Sequence, residues 1–222
     1  MSTDEAVDGD ADAEEVAIYS DFVCPFCYLG RESLRNYREE RTDRDLPDLD
    51  VEWRFFDLRG HKRGPDGEIH DGVDDGKDED YYDRVRENVR RLREEYDAEM
   101  LEFDDVADSD SWDAQQVALY VKQTYDTDTF RDFYDAVLDA YWREGRDIGD
   151  VDVIVDIAES VGVGADEVRD AVADDRLERE LETRFDEARE HGVTGVPTFV
   201  SDGHAARGAV PPAHLERLLE GV

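Results

Sequence analysis

The sequence predicts an α/β fold in which the two halves of one sheet are separated by a block of helices. Two observations lead to this prediction. Short apolar runs with strand character occur near both ends of the 222-residue chain, at 16–19 and 51–56 and again at 198–200 and 205–209. Between them, residues 81–172 follow the i, i+3, i+4, i+7 spacing of amphipathic helices. The chain is long enough to bury a core as one domain with an insertion.

The N-terminal part is predicted to form a strand, a helix and a second strand. Residues 16–19 form the first strand, and a helix begins near Cys24 and continues through Leu29, Leu34 and Tyr37. Residues 51–56 are aromatic and β-branched, which favours a second strand.

The stretch 59–78 is rich in glycine and charge and shows no periodicity. Two interpretations fit it: an exposed connector, or a lid over a functional site, because long loops without secondary structure are often functional. The sequence favours the connector.

Three apolar stripes predict four or five helices between 81 and 172. The stripes are Tyr82, Val85, Val89, Leu92 and Tyr96; Phe130, Phe133, Tyr134, Val137, Leu138, Tyr141 and Trp142; and Val153, Ile154, Ile157, Ala158 and Val161. A further helix is predicted over 174–191, closed by Gly192 in the position where glycine commonly ends a helix.

The chain then returns to strands at 198–200 and 205–209, joined by a turn at Asp202 and Gly203, and a last helix starts at Pro211 and Pro212. The predicted organisation is an acidic tail at 1–13, a first half of the sheet domain at 14–78, a helical insertion at 79–173 and a second half at 174–222.

The only two cysteines, Cys24 and Cys27, stand three residues apart where the first strand gives way to the first helix. Pro25 fits the first helical turn, because its missing N–H is not needed there. The unpaired N–H groups and partial positive charge of a helix N-terminus stabilise a thiolate. The second cysteine lies one turn on, near enough to close a short disulfide. The pattern favours redox catalysis by this pair.

Other uses of two cysteines fit the sequence less well. A zinc site needs two further ligands, and the histidines show no paired spacing: His61, His70, His191, His204 and His214. Buried structural thiols remain an alternative, since free cysteine often behaves as a small hydrophobe. A purely structural disulfide is disfavoured because so short a loop restricts the unfolded chain little. We therefore expect no metal and no cofactor besides the cysteine pair.

The charge is strongly negative: 62 acidic residues against 26 basic ones give a formal net charge of −36. The acids are interleaved with periodic apolar residues, so the chain is expected to fold. The lysines are only three, namely Lys62, Lys77 and Lys122. We interpret the composition as adaptation to high salt, because at a Debye length of ~3 Å in molar electrolyte surface acids barely repel one another.

The same charge strongly disfavours nucleic acid as a partner, so we expect none. The pattern Asp8-x-Asp10-x-Asp12 resembles the start of a calcium loop, but Ala13 replaces the required glycine and Tyr19 the closing glutamate. Residues 1–15 contain no apolar signal region, and no run approaches the length of a membrane span. We expect a cytoplasmic protein without membrane partners; its oligomeric state is left open.

A second informative segment is Gly195-Val196-Pro197-Thr198-Phe199. Proline at the start of a strand cannot donate a ladder hydrogen bond. Frequency alone favours an ordinary trans bond before Pro197, whereas a cis bond turns the chain sharply and exposes the backbone of Val196 for pairing with an extended substrate.

Four segments in order resemble one known family. They are Ser20-Asp21-Phe22-Val23-Cys24-Pro25-Phe26-Cys27-Tyr28-Leu29-Gly30, Ser109-Asp110-Ser111-Trp112-Asp113-Ala114, Glu144-Gly145-Arg146-Asp147-Ile148-Gly149-Asp150, and residues 192–212. Over about residues 15–221 the chain resembles the DsbA-like branch of the thioredoxin superfamily, and more narrowly its FrnE-type subfamily. The resemblance implies a thioredoxin-like fold with a helical insertion.

The resemblance also implies a function. It makes Cys24 the nucleophilic cysteine and Cys27 the resolving one of a thiol-disulfide oxidoreductase acting on protein or small thiol substrates. Pro197 becomes a cis-proline beside them, and the substrate-binding residues surround the pair: Pro25, Phe26, Val196 and Pro197.

The chain departs from the family pattern in three places. Gln115 and Gln116 stand where a His-Arg pair is common, and Val210 stands where glutamine is common. The second cysteine pair of some relatives is absent, so this chain holds one redox couple.

Two alternative functions stay open. One is a thiol-dependent isomerase or transferase of the 2-hydroxychromene-2-carboxylate isomerase type, although such enzymes typically place serine at the position of Cys24. The other is a chaperone-like binder. Asp21 is predicted to be an exposed loop acid, and the aromatic residues Trp112, Tyr141 and Trp142 are predicted to belong to the core rather than to a substrate groove.

Overall fold

The computed structural model describes residues 14–64, 67–70, 72–73 and 76–221. Within these residues the chain forms four strands and eight α-helices. In chain order they are β1 (Glu15–Ser20), α1 (Pro25–Asp43), β2 (Asp50–Phe55), α2 (Glu79–Glu95), α3 (Trp112–Thr124), α4 (Thr127–Trp142), α5 (Val151–Ser160), α6 (Ala165–Val172), α7 (Asp175–Glu190), β3 (Thr198–Ser201), β4 (His204–Arg207) and α8 (Pro212–Glu220). The predicted tail at 1–13, with its aspartate pattern, lies outside the described residues.

The four strands form one sheet in the order β2-β1-β3-β4. β1 runs parallel to β2 and antiparallel to β3, and β3 pairs with β4 in a hairpin. The hairpin turn lies at Asp202 and Gly203, which both have positive φ. The two ends of the sequence therefore meet in one sheet, and the predicted α/β fold with a split sheet is confirmed.

The central strand β1 is buried on both faces of the sheet. On one face, Trp53, Ile18, Phe199 and Ala206 lie side by side across the four strands, and all are buried. On the other face, Tyr19 belongs to a smaller apolar cluster beside α7. Burial on both sides explains why residues 16–19 form a continuous apolar run instead of an alternating one.

The helices between β2 and β3 share the main core with the sheet. Tyr134 of α4 is the clearest link, because its ring stacks on Trp53 at 4.4 Å between centroids and contacts Phe22 at 4.7 Å. The predicted stripe of α4 thus faces the sheet.

Several helices use the abundant aspartates as N-caps, whose carboxylates accept a backbone N–H of the first turn. The capping residues are Asp78 of α2, Asp126 of α4, Asp150 of α5 and Asp174 of α7. Part of the acidic composition therefore has a local structural role.

The predicted last strand, 205–209, has different bounds in the structure, where β4 ends at Arg207. Gly208 lies opposite Pro197 and donates its N–H to the Pro197 carbonyl at 2.8 Å, but Pro197 has no N–H to return that bond, and Gly208 has a φ of 84°, so the ladder ends there. None of the described helices is long and apolar enough to span a lipid bilayer.

Candidate active site

Cys24 occupies the N-cap of α1, directly before Pro25. Its N–H donates to the carbonyl of Asp21 at 3.2 Å, and its carbonyl accepts from the N–H groups of Cys27 at 3.0 Å and Tyr28 at 3.3 Å. This turn ends β1 and starts the helix, so the thiol lies where the helix presents its unpaired N–H groups. The predicted strand-to-helix junction is present.

The two thiols differ in their surroundings. Cys24 and Cys27 are both buried, with 3% and 1% of their surface exposed, and Cys24 lines a surface cleft. Burial first, and the neighbouring Cys24 second, raise the pKa of the Cys27 thiol well above its usual value. Cys27 is therefore held as a neutral thiol behind Cys24, while Cys24 is the sulfur that a molecule in the cleft meets first.

The segment around Pro197 lies against Cys24, although 172 residues separate Cys24 from Val196. The Val196–Pro197 peptide bond is cis, and the Cys24 thiol donates to the carbonyl of Val196 at 3.5 Å. Gly30 of α1 permits this approach, since a Cβ there would lie 3.1 Å from Cγ of Pro197 and 3.2 Å from Cζ of Phe199. Glycine in the first motif thus allows the close packing of α1 on Pro197 and Phe199.

Asp21 is 1% exposed, so the predicted exposed loop acid is wrong. Its Oδ1 accepts from the Ser111 hydroxyl at 2.6 Å and its Oδ2 from the N–H of Leu58 at 2.8 Å. Burial raises the pKa of Asp21 to about 6, and nearby Asp57 adds to the rise, although these hydrogen bonds oppose it. The partner Ser111 is 90 residues away in sequence, which is why local pattern does not reveal the burial.

Three consecutive residues before α3 connect the motifs. Ser111 binds Asp21, as described, while the carboxylate of Asp110 accepts two hydrogen bonds from Arg63 at 2.7 and 2.9 Å. The hydroxyl of Ser109 donates to Asp147 at 2.6 Å. Three of the four segments quoted from the sequence, 20–30, 109–114 and 144–150, are therefore joined by hydrogen bonds.

The loop after β2 is fastened to this cluster by Arg63. Its guanidinium contacts Asp57 at 3.0 Å as well as Asp110, and lies 4.4 Å from the centre of the Trp112 ring. Desolvation opposes but does not outweigh the two carboxylates, so the pKa of Arg63 is raised and its charge is fixed. Arg63 therefore fastens the described part of 59–78 to this cluster.

A cleft of about 690 Å³ opens beside Cys24. One side is formed by the ends of the sheet and α1, through Cys24, Pro25, Phe26 and Val196. The other is formed by the loop after β2 and by α2, whose lining side chains are Leu58, Arg59, His61, Lys62, Ile69, Lys77, Tyr81, Tyr82 and Val85. The loop that the sequence favours as a mere connector thus borders the cleft.

The structure places the other predicted residues as follows. Trp142 is buried and donates its indole N–H to the carbonyl of Phe22 at 2.8 Å, and Tyr141 donates to the carbonyl of Ala107 at 2.6 Å. Trp112 packs edge-on against Phe185. All three lie away from the cleft lining, as predicted. Sequence reasoning missed the aromatic lining at Tyr81, which falls off the apolar stripe of α2 and is 37% exposed.

The positions that depart from the family pattern have structural partners. Gln115 donates to the Ser111 hydroxyl at 3.2 Å, and Gln116 donates to the carbonyl of Ala171 at 2.7 Å. The carbonyl of Val210 accepts from the Ser33 hydroxyl at 2.6 Å. None of the three lines the cleft beside Cys24 in the described part of the chain.

Comparison with protein families agrees with this geometry: residues 15–220 match the model of the DSBA-like thioredoxin domain. The chain belongs to the DSBA-like thioredoxin domain family. An uncharacterised Bacillus subtilis protein, YwbO, is 24% identical over 208 residues, which cover 92% of this chain and 94% of YwbO.

Two solved members of this fold illustrate its range of activities. A probable DsbA oxidoreductase of Streptomyces coelicolor is 23% identical, with a TM-score of 0.74 and coverage of 94% of this chain and 89% of that one. A 2-hydroxychromene-2-carboxylate isomerase is 17% identical, with a TM-score of 0.72 and coverage of 93% and 95%. These likenesses show the thioredoxin-like fold of the DSBA-like family. They do not distinguish a disulfide oxidoreductase from an isomerase, so the specific activity has to be argued from the site residues.

Proposed function

We propose that this protein is a thiol-disulfide oxidoreductase in which Cys24 and Cys27 form the single redox couple. The observation that carries the proposal is the position of Cys24. This residue is the N-cap of α1 and lines a cleft, and its thiol donates to the carbonyl of Val196 at 3.5 Å. Cys27, one turn on and buried, is placed to react with Cys24 rather than with a bound molecule.

The chemistry follows from this order. The Cys24 thiolate attacks one sulfur of a substrate disulfide, so a Cys24–sulfur bond forms, the substrate S–S bond breaks, and the departing thiolate takes up a proton. Cys27 then loses its proton and attacks Cys24, which releases the second substrate thiol. The enzyme is oxidised by two electrons and the substrate is reduced by two; the reverse sequence donates a disulfide.

The neighbouring residues bind the substrate in this proposal. Pro25 and Phe26 line the cleft beside the nucleophile, and the backbone of Val196, next to Pro197, pairs with an extended substrate segment in the manner of an added strand. Phe26 offers apolar surface without a charge.

The finer assignments are also proposals. We assign the chain to the FrnE-type subfamily on the four ordered motifs, and to the cytoplasm, where a lone Cys-x-x-Cys is more often catalytic than structural. The sheet domain comprises 14–78 and 174–222, and the insertion comprises 79–173. The meeting of β1 and β3 supports this division, because the two outer parts pair in one sheet.

The deciding experiment is a redox titration of the wild-type protein in molar salt, read by thiol trapping and intact mass. A reversible two-electron couple at ~−120 to −180 mV indicates a disulfide donor, and one near ~−270 mV indicates a reductase. Absence of any reversible couple would contradict the proposal.

The isomerase alternative has the likeness to 2-hydroxychromene-2-carboxylate isomerase in its favour. A Cys24→Ser variant separates the two functions, because serine cannot exchange disulfides but is the residue such isomerases typically carry. Isomerisation retained by this variant, without disulfide exchange in the wild type, would replace the oxidoreductase proposal; holdase activity alone would indicate the binder.

Adaptation to high salt is proposed from the net charge of −36. Screening weakens as salt is removed, so the surface acids repel one another more strongly and the melting temperature falls steeply below about 1 M salt. Thermal unfolding followed by circular dichroism across a salt series tests this. A melting temperature that stays constant on dialysis into dilute buffer overturns it.

A further inference from the structure

The hydroxyl of Ser20 is buried without a hydrogen-bond partner. Ser20 is the last residue of β1 and is 1% exposed, and its Oγ has no partner among the residues that the structure describes. A buried hydroxyl of this kind costs free energy, because water satisfies it in the unfolded chain. Alanine at this position would avoid the cost. The hydroxyl therefore needs a reason other than the stability of the resting protein.

The side chain of Ser20 points to the face of the sheet on which α1 packs. Side chains alternate along a strand, so Ser20 shares a face with Ile18, which lies opposite Phe199 of β3. A Cβ at Gly30 of α1 would lie only 3.2 Å from Cζ of Phe199, so the helix packs on this same face. Ser20 therefore points from the end of β1 towards the first turns of α1, where Cys27 lies.

The Ser20 hydroxyl acts on the thiol of Cys27. Burial, the largest influence, raises the pKa of Cys27, and the Ser20 hydroxyl and the backbone N–H of Asp21 oppose that rise. The hydroxyl of Tyr134 in α4 faces the same thiol, and burial first and Cys27 second raise its pKa well above the usual value. A neutral thiol is a weak acceptor, and the Ser20 hydroxyl forms no regular hydrogen bond with it. A thiolate would accept this donor far more strongly, because hydrogen bonds to ionised groups are about twice as strong as neutral ones.

We infer that Ser20 stabilises the thiolate of Cys27 during the second step of disulfide exchange, and so sets the rate at which the bound substrate is released. The inference rests on the proposed function and adds a residue to its resolving step. Cys27 gives its proton to the solvent, the Ser20 O–H turns onto the charged sulfur, and Cys27 attacks Cys24. The Cys24–Cys27 bond forms, the bond from Cys24 to the substrate sulfur breaks, and the substrate leaves as a thiolate.

Rapid mixing with dithiobis(nitrobenzoate) separates the two steps, because each step releases one coloured nitrobenzoate thiolate. Attack by Cys24 is bimolecular, so its rate grows with the concentration of the disulfide. Attack by Cys27 is unimolecular and independent of that concentration, so an excess of the disulfide places the first phase before the second. The reduced wild type and the Ser20→Ala variant are compared at neutral pH in molar salt, and intact mass identifies the mixed disulfide between the phases.

The expected result is an unchanged first phase in Ser20→Ala and a second phase that is about fivefold slower. A hydrogen bond to an ionised group changes the ionised fraction by a factor of about ten to a hundred. Part of this loss is regained, because a more basic thiolate is a better nucleophile, and the remaining loss is roughly the square root of that factor.

A second readout separates this role from a structural one. At neutral pH Cys27 carries its proton in the reduced protein, and the oxidised protein has no thiol, so the Ser20 hydroxyl stabilises neither resting state. The equilibrium constant between the protein and a reference dithiol should therefore stay within about twofold of the wild-type value in Ser20→Ala. The melting temperature of the variant should stay the same or rise, since a buried hydroxyl without a partner is removed.

Ser33 supplies the matched control. It also lies buried, in α1, but its hydroxyl donates to the carbonyl of Val210 at 2.6 Å. Ser33→Ala makes the same truncation, and it should lower the melting temperature while both phases keep their wild-type rates.

Three outcomes overturn the inference. A second phase at the wild-type rate in Ser20→Ala would remove the hydroxyl from the resolving step. Equal slowing of both phases, loss of the fold, or the same slowing in Ser33→Ala would show a structural role instead. A change in the equilibrium constant as large as the change in rate would mean that the hydroxyl acts on a resting state. A wild-type protein that releases no second thiolate is a different result, because it contradicts the oxidoreductase proposal itself.

Discussion

The two sides of the cleft are built in opposite ways. The thiol wall, formed by Cys24, Pro25, Phe26 and Val196, has Cys27 and the carboxylate of Asp21 buried close behind it in the sequence and the fold. The loop wall, formed by the lining residues of 58–77 and the start of α2, is more open to solvent. Both large apolar side chains that are clearly exposed among the described residues, Val73 and Tyr81, belong to this region.

Under the proposed function, we expect substitutions on the thiol wall to affect the reaction and substitutions on the loop wall to affect which substrate binds. Groups on the thiol wall are fixed by neighbours far away in sequence, so substitution there changes chemistry and stability together. Groups on the loop wall have few buried contacts, so substitution there is expected to change substrate choice while the fold is kept. The predictions below test that separation, from the largest expected effect to the smallest.

The largest effect is expected at the thiols. Cys24→Ser should lower disulfide exchange by about a thousandfold or more, because the nucleophile is lost. Cys27→Ser should instead accumulate a mixed disulfide between Cys24 and the substrate, visible by intact mass. If the serine variant at 27 turned over like the wild type while that at 24 trapped substrate, the assigned roles would be reversed.

The next effect concerns the packing of α1 against Pro197. Gly30→Val should lower the free energy of unfolding by about 2 kcal/mol, because the new side chain overlaps Pro197 and Phe199. Gly195→Ala is the control: no atom lies within 4 Å of its Cβ position, so stability should change by less than about 0.5 kcal/mol. Urea unfolding in molar salt measures both. Equal stability of the two variants would deny the close approach.

The pH dependence of stability reports on Asp21. Its pKa is about 6 in the folded protein against 3.8 in a free chain, so between these values the native state holds a proton that the unfolded chain has released. The contribution of Asp21 to the free energy of unfolding is therefore fully present below pH 3.8 and is lost as the pH rises through about 6. A rise of roughly two pKa units corresponds to about 3 kcal/mol.

The Asp21→Asn variant has no carboxyl group to ionise at this position, so it does not lose stability there as the pH rises. Relative to the wild type, the variant should gain up to about 3 kcal/mol of unfolding free energy between pH 4 and pH 7, whatever its cost at pH 4. Unfolding by urea at several pH values, at constant salt, measures the difference. Parallel curves for the two proteins would show that Asp21 ionises normally.

The smallest effect is expected on the loop wall. Tyr81→Ser should change the free energy of unfolding by less than about 0.5 kcal/mol, yet slow the reaction with 2-hydroxyethyl disulfide by about threefold, because aromatic surface is removed from the cleft. Val73→Ser, equally exposed but outside the cleft lining, should leave stability and rate unchanged. A large loss of stability at Tyr81 would weaken the contrast between the walls.

The sequence predicts the strands and helices better than the contacts between distant segments of the chain. The apolar runs of β1 and β2 and the helical stripes are local signals, and the structure places strands and helices there. The predicted end of β4 lies two residues too far, since the real end depends on which residue stands opposite Gly208: it is Pro197, which has no N–H for the ladder, and local pattern does not encode that pairing.

Prediction of the candidate site from the sequence is limited in the same way, to residues that are close together in the chain. Cys24, Pro25 and Cys27 are recognisable because their chemistry depends on spacing within one helical turn. The burial of Asp21 depends on Ser111, and the lining role of Lys62 and Lys77 depends on how the loop after β2 folds back towards α1. Such contacts join distant segments, so they appear only in three dimensions.

The contact between Cys24 and Val196 also has a consequence for biosynthesis. A ribosome delivers Cys24 and Cys27 long before it delivers β3, the strand that covers β1 on the side opposite β2. Until that strand emerges, the nascent chain has neither the carbonyl of Val196 beside the thiol nor the packing of Pro197 on Gly30. Translation therefore brings the Cys24 thiol first and these packing partners last, so during that interval the growing polypeptide lacks the contacts that Val196 and Pro197 make with this part of the folded protein.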